Sequence, residues 1–173
     1  MSEHLKRHIR DIPDFPKEGI LFRDITPLLM DPEAFRETVN VLRQRYEGKG
    51  IDKFAAIESR GFFFASPLAY QLGIGLIPLR KPGKLPAETI SESYALEYGE
   101  ASLEIHKDAV KKGERVVIID DLLATGGTAA ASVALIEKLG GDVVEIAFIV
   151  ELADLGGRAK LGDTPTFSLL SYG

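Results

Sequence analysis

One stretch, residues 116–128, constrains the fold more than any other part of the chain. It has the sequence VVIIDDLLATGGT, in which four β-branched residues precede Asp120, Asp121 and a loop of small residues. A β-branched run bounded by charge predicts a strand buried on both faces of a parallel sheet. Residues 128–139 then have helical periodicity and end at a Gly-Gly pair, which indicates a helix C-terminus. The expected unit is a strand, a Gly-rich turn and a helix.

The turn in this unit predicts a phosphate site. Backbone N–H groups at a helix start lack carbonyl partners, and the helix dipole adds positive potential at the same point. No lysine follows Gly126-Gly127 and no G-x-G-x-x-G follows a strand, so ATP hydrolysis and dinucleotide binding are disfavoured. Two carboxylates ahead of the loop suit a ligand whose vicinal hydroxyls lie about one sugar ring from a phosphate.

Composition excludes several classes of protein. With 173 residues, 45% of them hydrophobic, the chain is expected to form one globular domain. A net charge of -5 gives no basic surface for nucleic acid, so no nucleic-acid partner is expected. Cysteine is absent, which excludes disulfides and thiolate catalysis. No apolar run approaches the roughly 20 residues of a membrane span and the start resembles no secretory signal, so we expect a cytoplasmic protein without membrane contact.

The remaining pattern alternates between strands and helices. Residues 2–10 predict a short amphipathic helix, and residues 31–45 predict a longer one with Asp31 as its N-cap. The other expected elements are a helix at 61–72 and strands at 54–57, 75–79, 143–150 and 166–170. Residues 81–99 are polar and rich in turn formers, and 93–96 could pair with 101–105 as a hairpin. A long polar segment inside a compact domain is typical of an active-site lid.

At this point a family resemblance becomes specific. Residues 116–128 resemble the motif of type I phosphoribosyltransferases that binds 5-phosphoribosyl-1-pyrophosphate (PRPP). Four further segments resemble adenine phosphoribosyltransferases in order and spacing: DFPKEGILFRDITPLL, ESRGFFFA, LRKPGKLPAET and SYALEYGEASLEIHKDA. The resemblance covers the whole chain and implies an α/β fold, a mostly parallel sheet flanked by helices in a single domain, 1–173. It also implies a small N-terminal hood at about 13–29, a flexible lid at about 81–106, and conversion of adenine and PRPP to AMP and pyrophosphate in purine salvage.

The PRPP motif carries the first set of candidate site residues. Those for PRPP and AMP binding are Asp120, Asp121, Ala124, Thr125, Gly126, Gly127 and Thr128. Departure of pyrophosphate from C1′ needs positive charge on the leaving group. The candidates for that role are Ser59, Arg60, Arg80, Lys81 and Lys84. Arg60 follows a predicted strand end, whereas lysines in such a loop are often only solvated. The resemblance also implies a cis peptide between Ser59 and Arg60.

The hood and the lid carry the second set. Leu21, Phe22 and Arg23 are the candidates for adenine binding: Phe22 offers a ring for stacking, and backbone groups near Leu21 could pair with the base edge. Arg23 would contact adenine directly or brace the hood. In the lid, the candidates are Glu97, as proton partner of the adenine imidazole ring, and Tyr98, which would cover the pyrophosphate. With Arg60 they form the predicted catalytic set.

Magnesium and a second subunit complete the expectations. No protein cage for Mg²⁺ is evident, so PRPP would hold the ion and Asp120 and Asp121 would act on it indirectly through the ribose hydroxyls. The resemblance implies a homodimer with Phe62-Phe63-Phe64 near the interface, although three aromatics at a helix start can also be core.

Three alternatives stay open at this level. A 6-oxopurine enzyme would share the PRPP motif and differ in the hood. A non-catalytic PRPP-sensing regulator would need an appended binding domain, for which 173 residues leave no room. A phosphoryl-signalling receiver would have no use for the long lid.

Overall fold

The computed structural model describes residues 2–96 and 99–173, and its centre is a parallel β-sheet. Within these residues the sheet has five strands in the order β4-β3-β7-β8-β9, every neighbouring pair parallel. The strands are β3 (Lys53–Ile57), β4 (Gly75–Leu79), β7 (Arg115–Leu123), β8 (Asp142–Leu152) and β9 (Thr166–Tyr172). Ala56 pairs with Ile119, so the carboxyl ends of β3 and β7 lie side by side. The sheet brings together two segments about sixty residues apart in sequence.

Three longer helices flank this sheet: α2 (Pro32–Tyr46), α3 (Gly61–Leu72) and α4 (Gly127–Lys138). The predicted N-cap of α2 is confirmed, since the Asp31 carboxylate accepts from the backbone N–H groups of Glu33 and Ala34. The predicted bounds of α3 are also confirmed, and Gly73 ends that helix in the left-handed conformation, with φ 64°. No helix among the described residues is long and apolar enough to cross a membrane.

The predicted burial of β7 on both faces is confirmed. Val116, Val117, Ile118 and Ile119 all have 0% exposure. Val117 and Ile119 join the hydrophobic cluster beneath α2 and α3, while Val116 and Ile118 join the cluster beneath α4. Alternate residues of a strand point to opposite faces, so one strand supplies both cores.

Several predicted boundaries were wrong. Strand β7 continues through Asp120 and Asp121 to Leu123, so both carboxylates lie within the strand and not in the loop after it. The N-terminal helix is a 3-10 helix, Glu3–His8, and buries Leu5. So short a segment carries little periodicity, so the sequence does not distinguish 3-10 from α-helical geometry.

The predicted hood is an antiparallel ribbon followed by a short helix. Strands β1 (Arg10–Pro13) and β2 (Leu21–Asp24) pair with Ile12 opposite Phe22, and helix α1 (Thr26–Met30) follows. The turn between the strands contains a cis Phe15-Pro16 peptide. The family resemblance implied a hood in this region, and the strand pairing within it was not predicted.

The predicted lid contains a longer hairpin than expected. Strands β5 (Thr89–Ala95) and β6 (Glu100–His106) pair antiparallel along their whole length, from Thr89 opposite His106 to Ala95 opposite Glu100. An ion pair between Glu92 and Lys138 ties β5 to α4. The hairpin therefore packs against the helix that begins at the predicted phosphate loop.

The three phenylalanines at the start of α3 have different environments. Phe64 is fully buried and packs edge-on against Phe35, with 6.0 Å between ring centroids, whereas Phe63 is 47% exposed. Tyr70, two turns further along α3, is 90% exposed. Phe62 is half-buried and packs against the same cluster as Phe64, whereas Phe63 and Tyr70 leave an exposed strip on α3.

Candidate active site

A cleft of about 380 Å³ opens at the carboxyl ends of β3 and β7. This is where ligands bind in open parallel sheets. The predicted site residues that line the cleft are Ser59, Arg60, Lys81, Asp120, Asp121, Ala124, Thr125, Gly126, Gly127 and Thr128. The structure thus brings the PRPP motif and part of the predicted pyrophosphate set into one cavity.

The predicted phosphate loop, residues 124–128, is shaped by glycine. Gly126 has φ 82°, a conformation that side chains other than glycine rarely adopt, and it forms the N-cap of α4. Gly127 begins the helix, and a Cβ there would lie 3.1 Å from the ring of Tyr94 on β5. The N–H groups of the first helical turn have no intrahelical partners, so this end of the cleft suits an anion.

A second glycine, remote in sequence, supports the same loop from behind. A Cβ on Gly157 would lie 2.3 Å from the carbonyl oxygen of Ala124, and one on Gly126 would lie 2.4 Å from the carbonyl oxygen of Gly157. The two backbones therefore touch with no space for side chains. Sequence analysis missed Gly157, because nothing near it carries a recognisable motif.

An ion pair fixes the segment that carries Gly157. The guanidinium of Arg158 donates two hydrogen bonds of 2.7 Å to the carboxylate of Glu151, and Arg158 also donates to the carbonyl of Thr166 at 2.9 Å. Hydrogen bonds from Arg158 hold the pKa of Glu151 below its usual value, although partial burial opposes that shift. A bidentate charged pair of this kind is a strong geometric restraint.

The two motif carboxylates have different surroundings. Asp121 is 4% exposed, and its Oδ2 accepts from Nε of Arg60 at 2.5 Å. Asp120 is half-buried, and its Oδ1 accepts the backbone N–H of Asp121 at 2.8 Å. Burial raises the pKa of Asp120 well above its usual range, and the adjacent Asp121 charge raises it further. Asp121 is therefore already paired, while Asp120 is the less satisfied carboxylate in the cleft.

The helix after β3 reaches β7 closely. A Cβ on Gly61 would lie 2.7 Å from the carbonyl oxygen of Ile119, so only glycine fits between helix α3 and the strand. The cis peptide expected near this point lies between Glu58 and Ser59, and the prediction of Ser59-Arg60 was wrong by one bond. The family resemblance therefore identified the segment that contains the cis peptide but named the wrong bond within it.

Glu58 is the second functional residue that sequence analysis missed. Its carboxylate is 6% exposed and contacts three predicted pyrophosphate ligands. It accepts from the backbone N–H of Lys81, from Nζ of Lys84 at 3.1 Å and from Nη2 of Arg80 at 3.3 Å. Burial acts to raise the pKa of Glu58, but the hydrogen bonds from Lys81, Lys84 and Arg80 outweigh it and lower the pKa overall.

The hood reaches the cleft through Phe22. The guanidinium carbon of Arg60 lies 5.7 Å from the centroid of the Phe22 ring, and Phe15 packs edge-on against that ring at 5.1 Å. Leu21 is 45% exposed. Arg60 therefore lies between the motif carboxylate and the predicted base site.

Arg23 has partners that brace the hood. Its guanidinium pairs with Asp11 on β1 and lies 4.1 Å from the centroid of the Tyr172 ring on β9. Its side chain is 17% exposed. Of the two roles considered for Arg23, these contacts support bracing, because they join the hood to the edge of the sheet.

Two predicted catalytic residues, Glu97 and Tyr98, lie outside the described residues. Their neighbours Ala95 and Glu100 end the paired part of the hairpin. Within residues 2–96 and 99–173, no group of three or more His, Asp or Glu side chains could hold a metal ion.

The chain resembles known proteins along its whole length. The Phosphoribosyl transferase domain family matches residues 28–168. An adenine phosphoribosyltransferase of Thermoanaerobacter sp. (strain X514) is 58% identical over 170 residues, which cover 98% of this chain and 98% of that protein. The crystal structure of adenine phosphoribosyltransferase from Thermoanaerobacter pseudethanolicus has a TM-score of 0.95 at 57% identity and covers 99% of this chain and 100% of that one. The Saccharomyces cerevisiae enzyme, solved with adenine and an imino-altritol bisphosphate, has a TM-score of 0.93 at 41% identity, with 97% of each chain covered.

Proposed function

Because the chain belongs to the phosphoribosyl transferase domain family, and within it to the adenine phosphoribosyltransferases, we propose a role for each wall of its cleft. The enzyme converts adenine and PRPP to AMP and pyrophosphate in purine salvage. One observation carries the assignment of roles: the phosphate loop, the paired carboxylates and Ser59-Arg60 line the same cavity. The whole chain, 1–173, acts as one catalytic domain in this proposal.

The loop of residues 124–128 binds the 5′-phosphate of PRPP and later of AMP. Support comes from the left-handed Gly126 and from the unpaired N–H groups at the start of α4. Gly157 holds the loop in place from the opposite side. Amide donors that are already oriented bind phosphate without a further ordering cost.

Asp120 accepts hydrogen bonds from the ribose hydroxyls. Burial and the neighbouring Asp121 charge raise its pKa, and hydroxyl donors would stabilise its charged form. Asp121 acts through Arg60, since its Oδ2 is hydrogen-bonded to that guanidinium. Arg60 in turn stabilises charge on the departing pyrophosphate, together with Ser59, Lys81, Arg80 and Lys84.

Mg²⁺ fits this arrangement as an ion held mainly by the substrate. The cleft offers two carboxylates, Asp120 and Asp121, and a hard hydrated cation is commonly bound by phosphates with one or two carboxylates. When bound, the ion would neutralise developing charge on the leaving group. Asp120 would orient it through the ribose hydroxyls, while Asp121 would act through its ion pair with Arg60.

Adenine binds between the hood and Arg60. Phe22 supplies a ring beside that guanidinium, and backbone groups near the exposed Leu21 recognise the base edge. Arg23 holds the hood in register through Asp11 and Tyr172. From the lid, Glu97 polarises the imidazole ring of adenine and Tyr98 covers the pyrophosphate, which keeps water from the ribosyl centre.

The enzyme is a homodimer in this proposal, and the apolar strip of Phe63 and Tyr70 on α3 supplies part of the interface. Exposed aromatics on one helix face are typical of a protein contact surface. The cytoplasmic location and the absence of a nucleic-acid partner stay predictions from sequence.

The proposal is tested by pyrophosphate release from PRPP and Mg²⁺, measured with adenine, hypoxanthine, guanine or no base. Release with adenine alone is the expected result. In parallel, Phe22→Ala should raise the KM for adenine more than that for PRPP. Equal effects on both would refute the placement of the base at the hood.

A further inference from the structure

A buried carboxylate holds the cations that we assign to pyrophosphate. Glu58 follows β3 directly, and its side chain is 6% exposed. Its Oε2 lies 3.1 Å from Nζ of Lys84 and 3.3 Å from Nη2 of Arg80, while its Oε1 accepts the backbone N–H of Lys81. One anion at the wall of the cleft therefore pairs with two side-chain cations that lie behind it.

Arg80 is incompletely satisfied in this arrangement. Its Nε is buried and has no hydrogen-bond partner among the described residues. Its Nη1 contacts the carbonyl oxygen of Lys84 only at 3.5 Å, the long limit for a hydrogen bond. An unpaired buried donor is unfavourable, so this guanidinium gains by meeting a better acceptor. Pyrophosphate oxygens are such acceptors.

We infer that Glu58 is an internal counter-anion that competes with pyrophosphate for Arg80 and Lys84, and so keeps the affinity for this product low. The inference rests on the proposed function, which places pyrophosphate at these cations. Without ligand, Glu58 keeps the cations gathered at the cleft. When pyrophosphate binds, it must displace Glu58 from the side chains of Arg80 and Lys84. When it leaves, the carboxylate pairs with these side chains again.

The charge of Glu58 persists at neutral pH. Although burial opposes it, the donors from Lys81, Lys84 and Arg80 lower the pKa of this carboxyl below its usual value. Glu58 acts through other residues and is a positioning residue, not a catalytic one. Its role predicts the direction of the change in pyrophosphate affinity. Removal of its charge should tighten the binding of pyrophosphate, whereas a purely structural role predicts weaker binding.

The test compares Glu58→Gln with Glu104→Gln. Glutamine at position 58 can still accept from the N–H of Lys81 but carries no charge. Glu104 is a matched control, because its carboxylate accepts from the N–H of Gly83 in the same loop at 3.3 Å and its backbone pairs with Arg80. It forms no ion pair with the side chain of Arg80 or Lys84 among the described residues.

Calorimetric titration of magnesium pyrophosphate into each full-length variant should give a Kd about tenfold lower for Glu58→Gln than for wild type. Glu104→Gln should stay within about twofold, and the KM for adenine should not change in either. An unchanged or higher Kd in folded Glu58→Gln would overturn the inference. Glu58→Asp offers a second test, since it keeps the charge but withdraws it by about 1.5 Å. The Kd of Glu58→Asp should lie between those of wild type and Glu58→Gln, and a Kd above that of wild type would again contradict the inference.

A third variant separates this inference from the proposed function. Lys84→Met should weaken pyrophosphate binding at least several-fold, because it removes a proposed ligand. An unchanged Kd in Lys84→Met would refute the placement of pyrophosphate and the inference with it. Weakened binding in Lys84→Met together with unchanged binding in Glu58→Gln would refute the counter-anion alone.

Discussion

Gly157→Ala should damage the phosphate loop without touching any ligand. The added Cβ would lie 2.3 Å from the carbonyl oxygen of Ala124 and 2.8 Å from a methyl group of Leu123. Ordinary contact begins near 3.4 Å, so the backbone at Ala124 or at position 157 must move by about 1.1 Å. Leu123 can adjust its side chain, but a backbone carbonyl cannot turn aside without moving the loop.

Overpacking of this kind typically costs about 1–3 kcal/mol. If half of that, about 0.5–1.5 kcal/mol, appears as a displaced loop, the affinity for PRPP falls by roughly two- to twelvefold, since 1.4 kcal/mol corresponds to tenfold. The rest should lower the melting temperature by roughly 1–6 °C. The KM for adenine should change little, because the close contacts of a Cβ at position 157 are with Ala124 and Leu123 and not with the predicted adenine-binding residues.

Gly75→Ala is the matched control. Gly75 starts β4, and a Cβ there would meet only the side chain of Lys53, at an ordinary 3.7 Å. Steady-state kinetics with PRPP as the varied substrate, together with thermal melting, distinguish the two variants. A Gly157→Ala enzyme with wild-type KM for PRPP would show that the loop does not depend on this contact.

Three further predictions concern the cleft and its support. The double variant Asp120→Asn with Asp121→Asn should weaken PRPP binding by at least tenfold in equilibrium titration, and wild-type affinity would refute the placement of the ribose. Glu97→Ala should lower kcat more than it weakens PRPP binding, and a wild-type kcat would remove this residue from catalysis. Because hydrogen bonds from Arg158 lower the pKa of Glu151 in the folded state, this pair stabilises the protein above about pH 4.5, the usual glutamate value. That contribution should disappear as the pH falls below it, and Glu151→Gln should flatten the acid side of a stability–pH curve; an unaltered curve would contradict this.

Helix ends were predicted well where the capping signal lies in neighbouring residues. Asp31 identified the start of α2, and Gly73 identified the end of α3, because caps depend on one or two neighbouring residues. The 3-10 helix at the N-terminus was predicted only as a helix, since six residues carry little periodicity. The end of β7 was misplaced because charged residues inside a strand resemble a strand end when only the sequence is considered.

The residues of the candidate site likewise divide into those that a contiguous motif predicts and those that only tertiary contacts identify. The loop of residues 124–128 could be found from sequence because it is contiguous and lies between a predicted strand and a predicted helix, and the structure places all of it at the cleft. Glu58 lay inside a quoted motif, but its partners Arg80 and Lys84 follow a different strand. Arg23 was assigned two possible roles, and only its contacts with Asp11 and Tyr172 support one of them.

The sequence by itself determined the class of fold and the family and predicted the phosphate loop, because these depend on patterns of β-branched residues, glycines and carboxylates within short stretches of chain. The tertiary structure decided which groups share charge and space. It placed Asp121 against Arg60, Glu58 against its cations, and Gly157 against the loop. The physical reason is that parallel strands bring their carboxyl ends together across about sixty residues of sequence, and contacts between such distant segments depend on the packing of the whole sheet.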